Sequence, residues 1–122
     1  MALLIVESQE GDVTLLRLSG QLTMGLDSGE LKQRIQKLVS ESKTNVILNL
    51  GELGFLDSYG LGELVACLTT LKKRGGSLKL AQPTEFVRDI LRMTRLNSLF
   101  AAYESQEDAL ASFSQPGREP GE

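Results

Sequence analysis

The segment from Gly54 to Leu64, GFLDSYGLGEL, concentrates the residue types with which this chain could carry out chemistry. An acid, Asp57, stands next to a hydroxyl, Ser58, and glycines follow at positions 60 and 62. A serine just before a helix has two uses. Its oxygen accepts a hydrogen bond from an unpaired backbone N–H of the first turn, or it stands clear as a group that another enzyme modifies. The local sequence leaves both interpretations open.

Enzymatic uses of this segment are disfavoured by what surrounds it. The chain has no histidine, the usual general base near neutral pH. A serine hydrolase would place glycine two residues before the nucleophile, where this chain has Leu56. Gly60 and Gly62 lack the lysine of a phosphate-binding loop and the third glycine of a dinucleotide site. Asp57 as a phosphate acceptor would need a magnesium-binding acidic pair after the early strands, and none follows. We predict that the protein is not an enzyme.

Composition and charge limit the cellular compartment and the classes of partner that we expect for this protein. The 122 residues are about one domain long, and 41% apolar and 24% charged residues are typical of a soluble globular protein. A net charge of −3 argues against nucleic-acid binding. No apolar stretch is long enough to cross a membrane, and the N-terminus lacks the features of a secretory signal. With Cys67 as the single cysteine, neither an internal disulfide nor a metal site is expected. We expect a cytoplasmic protein without metal or cofactor.

An alternating series of predicted elements positions the segment that carries Ser58. Apolar periodicity predicts two strands in an opening hairpin and then a regular alternation of helix and strand. Such an alternation favours right-handed crossovers, so the predicted fold class is α/β with a mixed, mostly parallel sheet of about five strands and about four helices. The predicted strands lie near residues 4–6, 13–18, 45–50, 77–81 and 101–104, and the helices begin near residues 27, 59, 84 and 105. Sites in such folds favour the loops after the strands, where Ser58 lies.

The starts of the first two helices carry specific predictions. Asp27, with Glu30 three residues later, predicts a capping box, and Leu26 with Leu31 predicts a hydrophobic staple. If the second helix begins at Tyr59, Ser58 is its N-cap residue.

The second helix is predicted to present a contact surface on its outer side. Tyr59, Gly62, Glu63 and Ala66 flank Ser58 there and include few long side chains. Gly60 and Gly62 each cost a helix up to about 1 kcal/mol relative to alanine, so we interpret them as leaving room for a partner close to the hydroxyl. The predicted buried stripe contains Leu61, Leu64, Val65, Leu68 and Leu71, with Cys67 at its edge as a small core residue.

The segment NLGELGFLDSYGLGEL resembles a bacterial STAS domain of the anti-sigma factor antagonist type, as do GDVTLLRLSGQL upstream and GGSLKLAQPTEFVRDILRMTRLNSLF downstream. The resemblance spans about Leu3 to Phe113 and depends most on Asp-Ser-aromatic-Gly-Leu-Gly at 57–62. It implies the STAS-type fold for a domain over residues 1–113. Residues 114–122, SQPGREPGE, have almost nothing to bury and are predicted to form a disordered C-terminal tail.

The resemblance also implies a phosphorylation switch. Members of this family are phosphorylated on the serine that corresponds to Ser58 by an anti-sigma factor that is also a serine kinase, and a serine phosphatase reverses the modification. The unphosphorylated antagonist binds the anti-sigma factor, which releases a sigma factor and so regulates transcription. The predicted partner-binding residues around Ser58 are Thr23, Asp57, Tyr59, Gly60, Gly62, Glu63 and Ala66.

Two positions depart from the family pattern. Thr23 stands where an acidic residue is common, and Asn49 stands where aspartate is common. Both changes are expected to remove negative charge near the switch loop. The alternative function is a constitutive STAS scaffold, or a ligand-binding subunit of a stressosome-like or lipid-transport complex, in which Ser58 only caps the helix.

Overall fold

The computed structural model describes residues 2–114, and its strands and helices follow one another in the predicted order. The elements are β1 Leu4–Glu10, β2 Val13–Leu22, α1 Glu30–Ser40, β3 Asn45–Leu56, α2 Ser58–Lys73, β4 Ser77–Ala81, α3 Glu85–Met93, β5 Ala101–Tyr103 and α4 Gln106–Ser114. The predicted tail lies outside the described residues, except for Ser114, which ends α4.

One mixed sheet organises the chain, as predicted. Its strand order is β1-β2-β3-β4-β5, in which β1 is antiparallel to β2 and the remaining neighbours are parallel. Strand β3 occupies the centre and continues to Leu56, beyond the predicted end at Leu50. The β2–β3 pairing also continues to its last pair, Leu22 with Leu56. The sheet therefore extends to the residue before Asp57.

The sheet separates two apolar clusters. The larger contains side chains of α1, α2 and α3, together with Val46 and Leu48 of β3. The smaller lies beneath α4 and includes Ile47, the residue between them. Because successive side chains of a strand point to opposite faces, a strand covered on both sides is apolar at nearly every position. This arrangement explains the sequence NVILNL.

The start of α1 differs from the prediction. Its N-cap residue is Gly29, with φ 83°, and it has no side-chain cap hydrogen bond. The carboxylate of Asp27 accepts a hydrogen bond from the Leu3 N–H at 3.0 Å instead. Leu26 is fully exposed and does not form the staple. Asp27 therefore holds the N-terminal segment against the loop after β2. It does not cap the unpaired N–H groups at the start of α1.

Two consecutive glycines end α2. Gly75 has φ 78°, and the Gly76 N–H donates to the Leu71 carbonyl at 2.9 Å, as in a Schellman motif. A Cβ at Gly76 would lie 2.0 Å from the Thr44 carbonyl oxygen, so that position admits only glycine. The two glycines thus end the helix for different reasons, one conformational and one steric.

Candidate functional site

The parallel strands β2 and β3 bring two distant segments together at one edge of the sheet. The Asp57 N–H donates to the Leu22 carbonyl at 3.3 Å, just where the two strands end. Since parallel strands have their carboxyl ends on the same edge, Thr23 and Met24 leave β2 beside the segment that leaves β3. The candidate site therefore consists of the loop after β2 and the first turns of α2.

The carboxylate of Asp57 joins these two segments. Its Oδ1 accepts from the Gly60 N–H at 2.8 Å, which makes Asp57 the N-cap residue of α2. Its Oδ2 accepts from the Met24 N–H at 3.1 Å. The hydrogen bonds from Gly60 and then Met24 hold the pKa of the Asp57 carboxyl below its ordinary value of 3.8. Of the two interpretations of Ser58 that the sequence left open, capping therefore does not apply, because α2 begins one residue earlier than expected and Asp57 is its N-cap residue.

Ser58 is the first residue of α2 and is exposed. Within residues 2–114 its hydroxyl makes no hydrogen bond, since Asp57 already satisfies the N–H that a capping serine would bind. The hydroxyl therefore has no structural task in the first turn and is accessible to another protein.

The two glycines of the first turns have different environments. A Cβ on Gly60 would lie 1.9 Å from the Leu22 carbonyl oxygen, and Gly60 is buried. Gly60 therefore lets α2 pack closely against the end of β2, which corrects its predicted contact with a partner. Gly62 is exposed, and no atom lies within 4 Å of the position of its Cβ. Only Gly62 contributes to an open surface beside Ser58.

Glu63 is buried, contrary to its predicted place on the outer surface. Its side chain turns toward α1, where Oε2 accepts from the Lys32 N–H at 2.9 Å. The residue is only 6% exposed, and its Oε1 has no hydrogen-bond partner in the described part of the chain. Because α1 lacks its own side-chain cap, Glu63 acts as a cap donated by the neighbouring helix. It cannot serve as an exposed contact residue.

The remaining predicted contact residues are half-buried. Tyr59 places its hydroxyl 3.8 Å from the Cβ position of Gly29, so its ring lies against the loop before α1. Ala66 lies two turns further along α2. Thr23 lines an open depression of about 380 Å³ together with Leu26.

Exposed apolar side chains beside Ser58 were missed by sequence reasoning. Met24 is 69% exposed, and Leu26 is fully exposed. On the other flank, Phe55 contacts Phe86 of α3 with ring centroids 5.3 Å apart, and both rings remain partly exposed. Leu26 was noticed in the sequence, but it was interpreted as half of a hydrophobic staple with Leu31 and not as an exposed apolar residue. We call Met24, Ser58, Tyr59, Gly62 and Ala66 the Ser58 face.

Asn49 lies in a different part of the molecule from the Ser58 face. Its side-chain amide donates to Gln82 at 2.7 Å and to Gln106 of α4 at 3.0 Å, and its oxygen accepts from the Gly51 N–H at 3.0 Å. Leu56 lies seven positions further along β3, about 23 Å at the usual rise of about 3.3 Å per residue. The expectation that Asn49 alters charge near the switch loop is therefore wrong, whereas Thr23 does lie beside that loop.

Cys67 is a core residue, as predicted. It is fully buried, and burial, with a smaller effect of the Glu63 charge, raises the pKa of its thiol to about 12. Residues 2–114 contain no group of three or more Cys, Asp or Glu side chains arranged to hold a metal ion. Over the same residues, none of the helices combines the length and apolar character required to span a bilayer.

The family model of the STAS domain matches residues 5–109, and the chain belongs to this family. The anti-sigma F factor antagonist of Paenibacillus polymyxa is 28% identical over 101 residues, which cover 80% of this chain and 84% of that protein. The anti-sigma factor antagonist of Mycobacterium paratuberculosis has a crystal structure that matches with a TM-score of 0.80 at 25% identity, covering 91% of this chain and 93% of that one.

The phosphorylated form of the Bacillus cell fate determinant SpoIIAA shares the fold as well. Its TM-score is 0.71 at 21% identity, over 92% of this chain and 99% of that chain. These similarities confirm the predicted domain family and the STAS-type fold.

Proposed function

We propose that this protein is an anti-sigma factor antagonist whose binding to an anti-sigma factor is switched by reversible phosphorylation of Ser58. One observation carries the proposal: Asp57 caps α2, so the exposed Ser58 hydroxyl is left without a structural partner among the described residues. The names of the similar proteins from Paenibacillus and Mycobacterium support the same function. The proposed partners are an anti-sigma factor with serine kinase activity and a serine phosphatase.

Phosphorylation would change the charge at the head of α2. A phosphoserine carries about −1.5 to −2 charge, and a helix N-terminus attracts such a group. The neighbouring Asp57 carboxylate, however, already binds the N–H groups of Gly60 and Met24. A phosphate on Ser58 therefore repels Asp57 and competes with it for N–H groups of the first turn. We infer that phosphorylation weakens the link between Asp57 and Met24.

The Ser58 face suits binding of the unphosphorylated form. Its side chains are small, apolar or aromatic, and it exposes Met24. Docking a partner on such a surface removes apolar area from water, which is favourable. A phosphate at the centre of this face would lose its hydration when the partner docks, and no positively charged side chain of the face would pair with it. Burying an unpaired charge is unfavourable. Phosphorylation would therefore release the partner.

A phosphorylation assay tests the modified residue. The protein is incubated with ATP and its anti-sigma kinase, and the phosphate is located by peptide mass mapping. We expect it on Ser58, and we expect Ser58→Ala to abolish incorporation while Ser98→Ala, at another exposed serine, leaves it unchanged. Phosphate on a different residue, or none with an active kinase, would contradict the proposal.

Binding of the same variants tests the switch. Ser58→Ala should bind the anti-sigma factor irrespective of ATP, whereas Ser58→Glu should bind about tenfold more weakly or worse, because an unpaired charge enters the contact. Ser8→Glu, at an exposed serine of β1, is the control for added charge. If both Ser58 variants bind like the wild type, a constitutive scaffold becomes the better interpretation.

A further inference from the structure

Charge is distributed unevenly along this chain. Residues 72–103 carry seven Lys or Arg residues and two acids, whereas the rest of the sequence carries six Lys or Arg residues and fourteen acids. Residues 72–103 form the end of α2, β4, α3 and β5. They therefore lie on the side of the molecule where β5 is the edge strand of the sheet. A protein with a net charge of −3 therefore has a positively charged flank.

Two neighbouring clefts lie on this flank. The first has a volume of about 190 Å³ and is lined by Arg88 and Arg92 of α3. The second has a volume of about 500 Å³ and extends to Lys72 near the end of α2. Asn97 and Phe100 line both clefts, so the two clefts adjoin at the segment before β5 and together extend from Arg88 of α3 to Lys72 of α2. We define the basic groove by Lys72, Arg88, Arg92, Asn97, Leu99 and Phe100.

The basic groove combines an apolar floor with cations that lack counter-charges. Phe100 is 5% exposed and belongs to the main core, whereas Leu99 is 46% exposed. Arg92 pairs with Asp89, but neither Arg88 nor Lys72 has an acidic partner within residues 2–114. An occupant that carries both carboxylates and apolar side chains would pair with these cations and cover the exposed apolar surface.

We propose that the basic groove binds an acidic segment of a partner protein in which apolar side chains are interspersed with glutamate or aspartate. The elongated shape fits a peptide segment better than a compact molecule. A nucleic acid or an anionic membrane would also meet the fourteen acids in the rest of the chain, which would repel an extended polyanionic surface. A short acidic segment contacts only the basic flank.

The basic groove and the Ser58 face are separate surfaces. Lys72 lies near the opposite end of α2 from Ser58, about 21 Å away at a rise of 1.5 Å per residue. The groove therefore provides a second contact whose existence does not depend on phosphorylation of Ser58.

A peptide-binding experiment tests this proposal with the full chain. The probe is a fluorescein-labelled peptide of glutamates and leucines at helical spacing, and its control replaces every glutamate with lysine. We expect the acidic peptide alone to raise the fluorescence anisotropy, with an affinity that falls as salt is added. The double variant Arg88→Glu, Lys72→Glu should bind about tenfold more weakly or worse, because two attractive contacts become repulsive.

Matched variants separate charge at the groove from charge in general. Lys37→Glu makes the same change on α1 and should bind the peptide within about twofold of wild type. The neutral pair Arg88→Gln, Lys72→Gln should weaken binding to an intermediate degree, with circular dichroism verifying that each variant is folded. Absence of peptide binding at millimolar concentration, or equal binding by all variants, would overturn the proposal.

Two competing occupants are measured in parallel. In the first measurement, the wild type co-sediments with phosphatidylglycerol vesicles, the double variant does not, and the wild type does not bind the peptide. That result would assign the groove to a membrane and overturn the proposal. In the second measurement, the wild type self-associates in analytical ultracentrifugation, the double variant does not, and the wild type does not bind the peptide. That result would assign the groove to a second copy of this chain and would also overturn the proposal.

Discussion

One carboxylate, that of Asp57, decides how Ser58 is interpreted. By accepting hydrogen bonds from Gly60 and Met24, it both caps α2 and holds the loop after β2. A serine in the next position then contributes nothing to capping, although its sequence position suggested that it would. The adjacent acid also means that a phosphate on Ser58 is introduced beside a charge of the same sign, so its effect on the local potential is large.

The effect of Asp57 on stability should depend on pH. Folding lowers the pKa of Asp57 below 3.8, so its carboxylate stabilises the fold above that pH, and this contribution is lost as the pH falls through the folded-state pKa. Asp57→Asn keeps one acceptor oxygen but removes the charge and one of the two bonds. We predict that the variant is less stable than wild type near neutral pH and that the difference shrinks at low pH.

Urea unfolding at a series of pH values from about 2 to 7 measures this difference, since linear extrapolation gives the free energy of unfolding at each pH. Ser58→Ala is the control, because it changes the adjacent residue and removes no titrating group. A destabilisation by Asp57→Asn that stays constant over the whole range would contradict the assignment.

At the scale of elements, the start of α2 is fixed by packing against β2. Its buried residues recur at intervals of three and four: Gly60, Glu63, Leu64, Cys67, Leu68 and Leu71. Two of them, Gly60 and Glu63, do not carry an apolar side chain. A search for apolar periodicity alone therefore shifts the predicted stripe and places Gly60 and Glu63 on the surface. The local sequence gives no sign that a carbonyl of β2 and the head of α1 contact these two positions.

Gly60 and Gly62 should respond oppositely to the same substitution. Gly60→Ala places a Cβ 1.9 Å from the Leu22 carbonyl oxygen and should reduce the free energy of unfolding by about 2–3 kcal/mol. Gly62→Ala meets no atom and improves helix propensity, so it should increase that free energy by about 0.5–1 kcal/mol. Urea denaturation of both variants measures the two effects. Similar changes of one sign would show that packing does not distinguish these glycines.

Helix starts show what the sequence could predict and what it could not. Thr84 and Ser105 cap α3 and α4 through N–H groups three residues later, at 3.2 and 3.0 Å, as their local sequences predict. The head of α1 is capped by Glu63, which is 31 residues from Lys32 in the chain. A cap made within one turn can be predicted from the local sequence. A cap donated by another helix can be identified only once the tertiary structure is known.

At the scale of the whole molecule, the sheet was predictable because its central strands β3 and β4 are covered on both faces and its strands after β2 alternate with helices. The same topology placed Ser58 just beyond the carboxyl end of β3, as predicted, although in the first turn of α2 rather than in a loop. The extension of β3 to Leu56 was not predictable from local composition, because GELG reads as a turn rather than as a strand. That extension receives its hydrogen bonds from β2, and it brings Thr23 beside the start of α2.

The two proposed surfaces should act independently in one molecule. A charge placed at Ser58 and one placed at Lys72 lie about 21 Å apart along α2, well beyond the screening length of roughly 8 Å at physiological salt. We predict that Ser58→Glu weakens binding of the anti-sigma factor without affecting the acidic peptide, and that Lys72→Glu does the reverse.

A double-variant cycle with both ligands measures the coupling between the two positions. Distant substitutions without shared partners usually add within about 0.5 kcal/mol, so the double variant should show the sum of the two effects on each ligand. A coupling free energy above about 1 kcal/mol would mean that one partner spans both ends of α2. The Ser58 face and the basic groove would then be parts of a single interface, and the acidic segment would belong to the anti-sigma factor itself.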